Sequence, residues 1–221
     1  MSEPDFLTVT RTAYDTVAAS YADLVADNLD VNPFDRAVLG LYAELVHAAN
    51  REPGKPRVTE VGCGPGRIAA HLAGLGLDAR GIDLSPGMIE QARSRHPALE
   101  FAVGSMTALD PHLPGHQLDG LVAWYSLIHI PPAERPAVYA SFRRVLAPGG
   151  HLLLAFHSGD ERRHITEAYG HSGLDLDSYR LLPDRVEAGL AEAGFTSVAR
   201  LTRAPIGAEK TAQAYLLVRA T

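Results

Sequence analysis

From Val58 to Arg93 the chain reads VTEVGCGPGRIAAHLAGLGLDARGIDLSPGMIEQAR, and the turn Gly62-Cys63-Gly64-Pro65-Gly66 within it constrains the fold most. Val58 and Val61 flank Glu60 in a short apolar strand that runs into this turn. On its far side Ile68, Ala69, Leu72 and Ala73 recur at the spacing of one helix face. Glycine suits such a strand-to-helix turn, because a side chain would hold the backbone off a ligand lying across the strand ends. Gly81-Ile82-Asp83 ends a second strand, where a carboxylate can accept hydrogen bonds from both hydroxyls of a ribose. Together these pieces make the first half of a doubly wound α/β nucleotide-type site.

Other readings share this layout. Asp83 lies roughly 20 residues beyond the glycines, a separation that a dinucleotide fold also uses. The dehydrogenase fingerprint G-x-G-x-x-G, however, would place its third glycine at position 67, where this chain has Arg67. A glycine cluster with no ligand is the reading that the turn alone also leaves open.

The rest of the chain continues the alternation. Residues 8–28 and 33–49 read as helices, separated by Asn32-Pro33 and followed by the loop Arg51-Glu52-Pro53-Gly54-Lys55-Pro56. Strands are expected at about 57–61, 79–83, 99–103, 118–123 and 150–157, with helices at about 67–74, 86–95 and 133–146 between them. That order calls for a mainly parallel sheet with right-handed crossovers. The pattern lapses over Ser158–Tyr179, read as a long irregular insertion. A helix at 183–193 and strands near 195–203 and 212–219 close the chain. The expected organisation is one domain: a helical cap over 1–52, a binding core over 56–157, a substrate-side insertion over 158–182, and a last helix and strands over 183–221.

Composition narrows the partners. With 221 residues and 46% apolar content, the chain can bury the core of one α/β domain with a small cap. The net charge is −6 and Lys and Arg form no long run, so no nucleic-acid partner is expected. Cys63 is the only cysteine, which excludes an intrachain disulfide, and with no base in sequence reach it reads as a packing residue. The start lacks a basic region followed by an apolar core, and no apolar run approaches the ~20 residues of a spanning helix. A cytoplasmic protein without a membrane partner is the expectation. His157, His164 and His171 recur every seven residues, but Gly159 and Gly170 interrupt any single helix through them. No cysteine or close histidine pair completes a site, so no metal is expected.

Three stretches carry a family resemblance. Glu60-Val61-Gly62-Cys63-Gly64-Pro65-Gly66 resembles the first motif of class I S-adenosylmethionine-dependent methyltransferases. Gly81 through Arg93 is similar to their second strand and following helix, and Ala147-Pro148-Gly149-Gly150 to the turn before their fifth strand. Weaker likeness to bacterial small-molecule members runs through Ala13-Tyr14-Asp15-Thr16-Val17-Ala18 with Tyr21, and through Glu192-Ala193-Gly194-Phe195. The resemblance implies a Rossmann-like, doubly wound sheet of seven strands, mostly parallel with an antiparallel last strand, and an N-terminal helical cap.

The resemblance also implies a cofactor, S-adenosyl-L-methionine, and places it residue by residue. Glu60 and Gly62, with Gly64 in the same turn, would stand near its amino-acid end, and Asp83 would hold the ribose. Leu84 and Met88 would pack on the adenine, although their spacing equally suits plain core. Ser105 and Met106 follow the third strand, where a backbone N–H and a small polar side chain can read the adenine edge. Many relatives carry an acid at the position of Ser105, so its contact to the exocyclic amine should be weaker. Trp124 and Tyr125 fall where family members touch the methionyl group. Aromatic faces suit a cationic sulfonium, and Tyr14 and Tyr21 are further candidates. These two tyrosines share helical spacing with Val17, Ala18 and Val25, which fits a buried helix face as well as a cap on the site.

His129 is the candidate for proton transfer. It lies in Trp124-Tyr125-Ser126-Leu127-Ile128-His129-Ile130-Pro131-Pro132, beyond a strand end, where a neutral imidazole can take a proton from an acceptor or can orient the loop. The Ser158–Arg180 segment is read as lining the acceptor pocket, with a surface loop that orders on binding as the plain alternative. The candidate acceptor contacts are therefore Tyr125, His129, His157, Tyr169 and His171. Relatives that methylate DNA bases carry an Asn/Asp-Pro-Pro-aromatic motif after the fourth strand, and this chain has Trp124-Tyr125-Ser126-Leu127 there. The expected reaction is thus in-line transfer of a methyl group to oxygen or nitrogen of a small organic acceptor, as in secondary metabolism. An oxidoreductase of the nicotinamide type and a non-catalytic binder of the cofactor remain as alternatives, since a fold does not prove turnover. Nothing in the pattern fixes an oligomeric state.

Overall fold

The structure is a computed structural model that describes residues 4–50, 53–109, 112–113 and 117–221. Helices α1 (Asp5–Val25), α2 (Asn28–Val31) and α3 (Pro33–Ala49) precede the sheet. Then come β1 (Arg57–Val61), α4 (Arg67–Gly74), β2 (Asp78–Asp83), α5 (Pro86–Arg95), β3 (Glu100–Val103) and β4 (Leu118–Trp124). A 3-10 turn at Leu127–His129 leads to α6 (Arg135–Val145) and β5 (Leu146–His157). Beyond it lie β6 (Arg162–Ala168), β7 (His171–Tyr179), α7 (Pro183–Glu192), β8 (Phe195–Arg203) and β9 (Gln213–Ala220).

Seven strands form one Rossmann-like sheet in the order β3-β2-β1-β4-β5-β9-β8. β1 pairs in parallel with both β2 and β4, while β9 runs antiparallel to β5 and to β8. The strand order therefore reverses between β1 and β4, and a ligand crevice is expected outside their carboxyl ends. The central strands are apolar on both faces because helices cover both. Along β5, Leu152, Leu154 and Phe156 join the cluster under α6 and α7, whereas Leu153 and Ala155 join Leu39, Tyr42, Val46, Ile68 and Leu72 of α3 and α4. Gly120 of β4 makes room for this second layer, since a Cβ there would meet the Tyr42 hydroxyl at 2.1 Å.

Local signals explain the helix starts. Asn32 caps α3 by accepting from the N–H groups of Phe34 and Asp35, with Pro33 at the first helical position. Ser85 caps α5 through Met88 N–H at 3.0 Å, again followed by a proline. α4 begins at Gly66, which has no side chain to cap with, and the Glu60 carboxylate accepts the Ala69 N–H at 2.9 Å instead.

The expected core strands and helices are all present, with shifted ends. α1 starts at Asp5 and stops at Val25, and a separate turn of helix at Asn28–Val31 fills the interval before α3. β5 starts at Leu146, because Leu146 already pairs with Leu118. In the loop ahead of β1, Arg51 and Glu52 lie outside the described residues, as do residues 1–3 of the expected cap. One expectation needs correcting. The segment after β5 is not irregular: β6 and β7 form an antiparallel hairpin with its own two-stranded sheet. Its signal is the alternation of Leu174, Leu176 and Ser178, each buried, which the flanking histidines, glycines and charges mask. Among the described residues no helix is long and apolar enough to cross a membrane.

The glycine turn is the tightest part of this frame. Gly62 has φ 70° and donates its N–H to the Ile82 carbonyl at 2.7 Å, and a Cβ on it would lie 2.3 Å from Ser126 Cβ. Gly149 has φ 84° but open space around it. Gly62→Ala should therefore lower stability by roughly 2–4 kcal/mol and Gly149→Ala by only about 1–2 kcal/mol, measured as shifts in the urea midpoint.

Candidate active site

Outside the carboxyl ends of β1, β2 and β4 lies a cleft of about 710 Å³, counting the solvent at its mouth. Gly62, Gly64, Asp83 and Leu84 form its floor. Met88, Ser105 and Met106 make one side, and Trp124, Tyr125, His129 and Ile130 the other. α1 closes the top with Phe6, Leu7, Thr10, Arg11, Tyr14 and Tyr21. Most residues expected at a site from sequence thus meet in one cleft.

Asp83 is the fixed point of the floor. Its Oδ2 accepts the Gly64 N–H at 2.7 Å and its Oδ1 the Ser85 N–H at 2.9 Å. Burial pushes its pKa up to about 6, against the pull of those N–H groups, and Asp15 raises it further. Each oxygen keeps acceptor capacity, so the pair of them can receive two adjacent hydroxyls. Asp15, on α1, accepts from Ser85 Oγ at 2.5 Å and from the Gly87 N–H at 2.9 Å, which fastens the cap to α5.

Across the cleft, Tyr14 and His129 are in contact. The Tyr14 hydroxyl lies 2.7 Å from His129 Nε2, and His129 Nδ1 lies 2.9 Å from the Asp177 carbonyl oxygen. A carbonyl can only accept, so Nδ1 carries the ring proton and Tyr14 donates to the bare Nε2. Burial pushes the His129 pKa down to about 4, and the bond to Asp177 offsets only part of that. Tyr14 is held well above the usual phenol range, first by burial and then by the nearby Tyr169. The pair is therefore neutral over the whole physiological range.

Tyr125 has φ 52°, an uncommon backbone for a bulky residue, and its N–H donates to the Ala155 carbonyl at 2.8 Å. Its hydroxyl faces Tyr215, which donates to Asp35 Oδ1 at 2.7 Å and accepts from Arg203 Nε at 3.0 Å. Arg203 in turn grips both oxygens of Glu209. This chain of contacts, drawn from α3, β8 and β9, holds the strained residue in the cleft wall.

Other expected residues stand off the wall. Glu60 lies beneath the turn, 2% exposed, with its pKa pushed up to about 8 by burial despite Arg67 and the Ala69 N–H. His157 sits behind Tyr125, its ring 4.9 Å away, and donates to Gln213 Oε1 at 2.9 Å. Tyr169 and His171 touch α1 from outside, at Tyr21 and Ser20. His157, His164 and His171 thus have separate partners, and among the described residues no cluster of three or more ligating side chains fits a metal ion. Cys63 is buried among Ala69, Ile89, Ala92 and Phe101, and burial pushes its thiol well up. Sequence reading missed Asp15 and the α1 residues ahead of Tyr14. The stretch Ala13-Tyr14-Asp15 carried the signal, as an acid one residue after a candidate cap.

Residues 58–150 match a family model described as a methyltransferase domain. A demethylmenaquinone methyltransferase of Beutenbergia cavernae is 35% identical over 157 residues, covering 71% of this chain and 61% of that protein. Residues 58–150 are accordingly an S-adenosylmethionine-dependent methyltransferase domain. Phosphoethanolamine N-methyltransferase 1 of Arabidopsis thaliana is 30% identical over 163 residues, 70% of this chain and 31% of that protein. The chain thus spans between about a third and three-fifths of the length of these curated relatives. In fold, it is similar to the magnesium protoporphyrin IX methyltransferase of Synechocystis PCC 6803 solved with bound SAM: TM-score 0.72, 16% identity, 100% of both chains.

The neutral Tyr14–His129 pair is directly measurable. NMR titration of the His129 ring protons should give a midpoint near pH 4. Tyr14→Phe removes a donor that favours the neutral imidazole, so the midpoint should rise, by about 0.5–1 unit for one hydrogen bond.

Proposed function

We propose that this chain transfers the methyl group of S-adenosylmethionine, by in-line displacement, to a proton-bearing oxygen or nitrogen of a small, largely apolar acceptor. One observation carries the reading: the glycine turn with Asp83 and the Tyr14–His129 pair face each other across a single cleft. The donor set fits the cofactor. Asp83 offers two pre-oriented carboxylate oxygens to a ribose diol, and Leu84 and Met88 offer an apolar face beside it. The indole N–H of Trp124, in the cleft wall, is buried without a partner, so this wall is an aromatic face rather than a hydrogen-bonded one. When bound, the cofactor supplies a methyl group on a sulfonium that is already activated toward displacement.

What remains for the chain is orientation and a proton. Tyr21 and Tyr14 cover the cleft from α1. A hydroxyl or amine acceptor beside Tyr14 would hand its proton to the tyrosine oxygen as Tyr14 passes its own to His129 Nε2. The Asp177 carbonyl holds the imidazole in the tautomer this needs. With a pKa of about 4 His129 does not keep that proton, which returns through Tyr14 to water at the mouth of the cleft once the methyl group has moved. Among the described cleft residues Asp83 is the only acid, and it is committed to the floor. An ammonium acceptor would find no free carboxylate, so the cleft favours a hydroxyl over a charged amine. The net charge of −6 and the buried Cys63 thiol support a cytoplasmic enzyme without a nucleic-acid partner.

Calorimetric titration with S-adenosylmethionine, S-adenosylhomocysteine and NADH in parallel tests the cofactor. The first two should bind and NADH should not; binding of NADH alone would sink the proposal. Asp83→Asn should weaken binding about 10- to 100-fold, as expected for a charged acceptor on a diol. Because the carboxylate is the form that accepts both hydroxyls, affinity should fall as the pH drops through about 6, and this acid limb should vanish in the Asn variant. With an acceptor found by screening, His129→Ala and Tyr14→Phe should each cut kcat about 10²- to 10⁴-fold with little change in cofactor affinity. Wild-type turnover in both variants would remove the pair from the mechanism.

A further inference from the structure

Tyr169 is the second bulky residue that the fold holds in the left-handed region. It occupies the tip of the β6–β7 hairpin, where Ala168 pairs with His171 and only Tyr169 and Gly170 intervene, at φ 54° and 80°. Two positive φ values make this a type I′ turn, whose first position favours Asn, Asp or Gly. A tyrosine there is retained against the local preference, and its surroundings show what it does. Its ring meets Tyr21 edge-on, with centroids 5.0 Å apart and planes at 78°. Tyr21 is a wall of the cleft, 3.6 Å from where a Cβ on Gly64 would stand. Tyr169 itself is not part of that wall.

The neighbouring contacts act in the same direction. His171 Nε2 lies 3.0 Å from Ser20 Oγ, which already donates to Val17, so the imidazole N–H is the donor. Leu174 is buried against Val17 and Ala18 of the same helix. On its other side α1 is tied to α5 by Asp15 and by the Asp23–Arg95 ion pair. The hairpin is thus the second of two supports, and it is attached beyond α1 to the imidazole through the Asp177 carbonyl.

We propose that Tyr169 is a positioning residue: its ring, held on a strained hairpin turn, presses Tyr21 and α1 onto the glycine turn and so sets how long a bound methyl donor stays in the cleft. This rests on the methyl-donor reading for the ligand, though not for the mechanical coupling. It also reassigns Tyr169 and His171, expected from sequence as acceptor contacts, to the outer face of α1.

The test compares Tyr169→Asn with Tyr169→Phe in the full chain. Asn suits the turn but loses the ring; Phe keeps the ring. In the free protein, backbone amides of residues 17–25 should exchange with deuterium about 2- to 10-fold faster in the Asn variant, the loss expected for one aromatic pair. S-adenosylhomocysteine should leave faster by a similar factor in stopped flow. The Asn variant should melt at or above the wild-type Tm, and the Phe variant should match wild type in all three. Unchanged exchange in the Asn variant, or equal acceleration in the Phe variant, overturns the proposal. So does a fall in Tm with faster exchange across the whole chain, which would make the ring an ordinary core contact. If wild type shows the exchange contrast but binds no S-adenosylhomocysteine, the coupling stands and the methyl-donor reading falls.

Discussion

The Asp83 carboxylate is held in place before any ligand arrives, and much of the cleft is built outward from it. Through the Gly64 N–H it fixes the turn between β1 and α4; through the Ser85 N–H it fixes the cap of α5. Ser85 and Gly87 then bind Asp15, so the cap helix α1 takes its position from the same point. A buried carboxylate is costly to keep charged, and the backbone donors offset that cost only in part, as its elevated pKa records. The remaining acceptor capacity is what a pair of hydroxyls would satisfy. The side chain that organises the turn and the cap is therefore also the one with most to gain from a diol.

The opposite wall is organised by strain and by a tautomer rather than by charge. The two non-glycine residues with positive φ among those described are both tyrosines, Tyr125 and Tyr169. Each costs of order 1–3 kcal/mol in backbone energy, and each is held by contacts from several elements. Tyr125 is anchored through Tyr215 to Asp35 and Arg203, and Tyr169 against Tyr21. The Tyr14–His129 pair sits between them, with its proton positions set by the Asp177 carbonyl. Tyr125, Tyr169 and the Tyr14–His129 pair are themselves neutral near pH 7.

The donor half of the cleft was legible because its information is local. Glycine turn, helix face and Asp83 lie within one stretch, and their spacing reports a geometry that a few residues determine on their own. The strands of the sheet were legible for the same reason, since burial on both faces leaves near-continuous apolar runs. The opposite wall was only partly legible. His129 was found by its place after a strand, but its partner Tyr14 is 115 residues away and nothing local announces the contact. The hairpin was missed because β6 lies largely exposed and its turn uses Tyr-Gly, where the familiar signal is Asn-Gly. Glu60 was expected beside the ligand because of its position in the motif, whereas burial beneath the turn gives it a capping role that only the packing reveals.

This division has a chemical consequence. The half that recognises the donor is made of sheet and turn, where a single added Cβ at Gly62 would collide with Ser126, so it tolerates little change. The opposite half is made from the first turns of α1 and the 3-10 turn at Leu127–His129, joined to each other and, from behind, to β7 by side-chain contacts rather than by the sheet. Phe6 and Thr10 on α1 can change without disturbing Asp83, since α1 is located by Asp15 further along. On the proposed reading, a fixed Tyr14–His129 pair with a separately supported rim would let the rim change while the donor half stays the same. Around the Tyr14–His129 pair the rim of the cleft mixes the apolar Phe6, Leu7, Met106 and Ile130 with the polar Thr10 and Arg11.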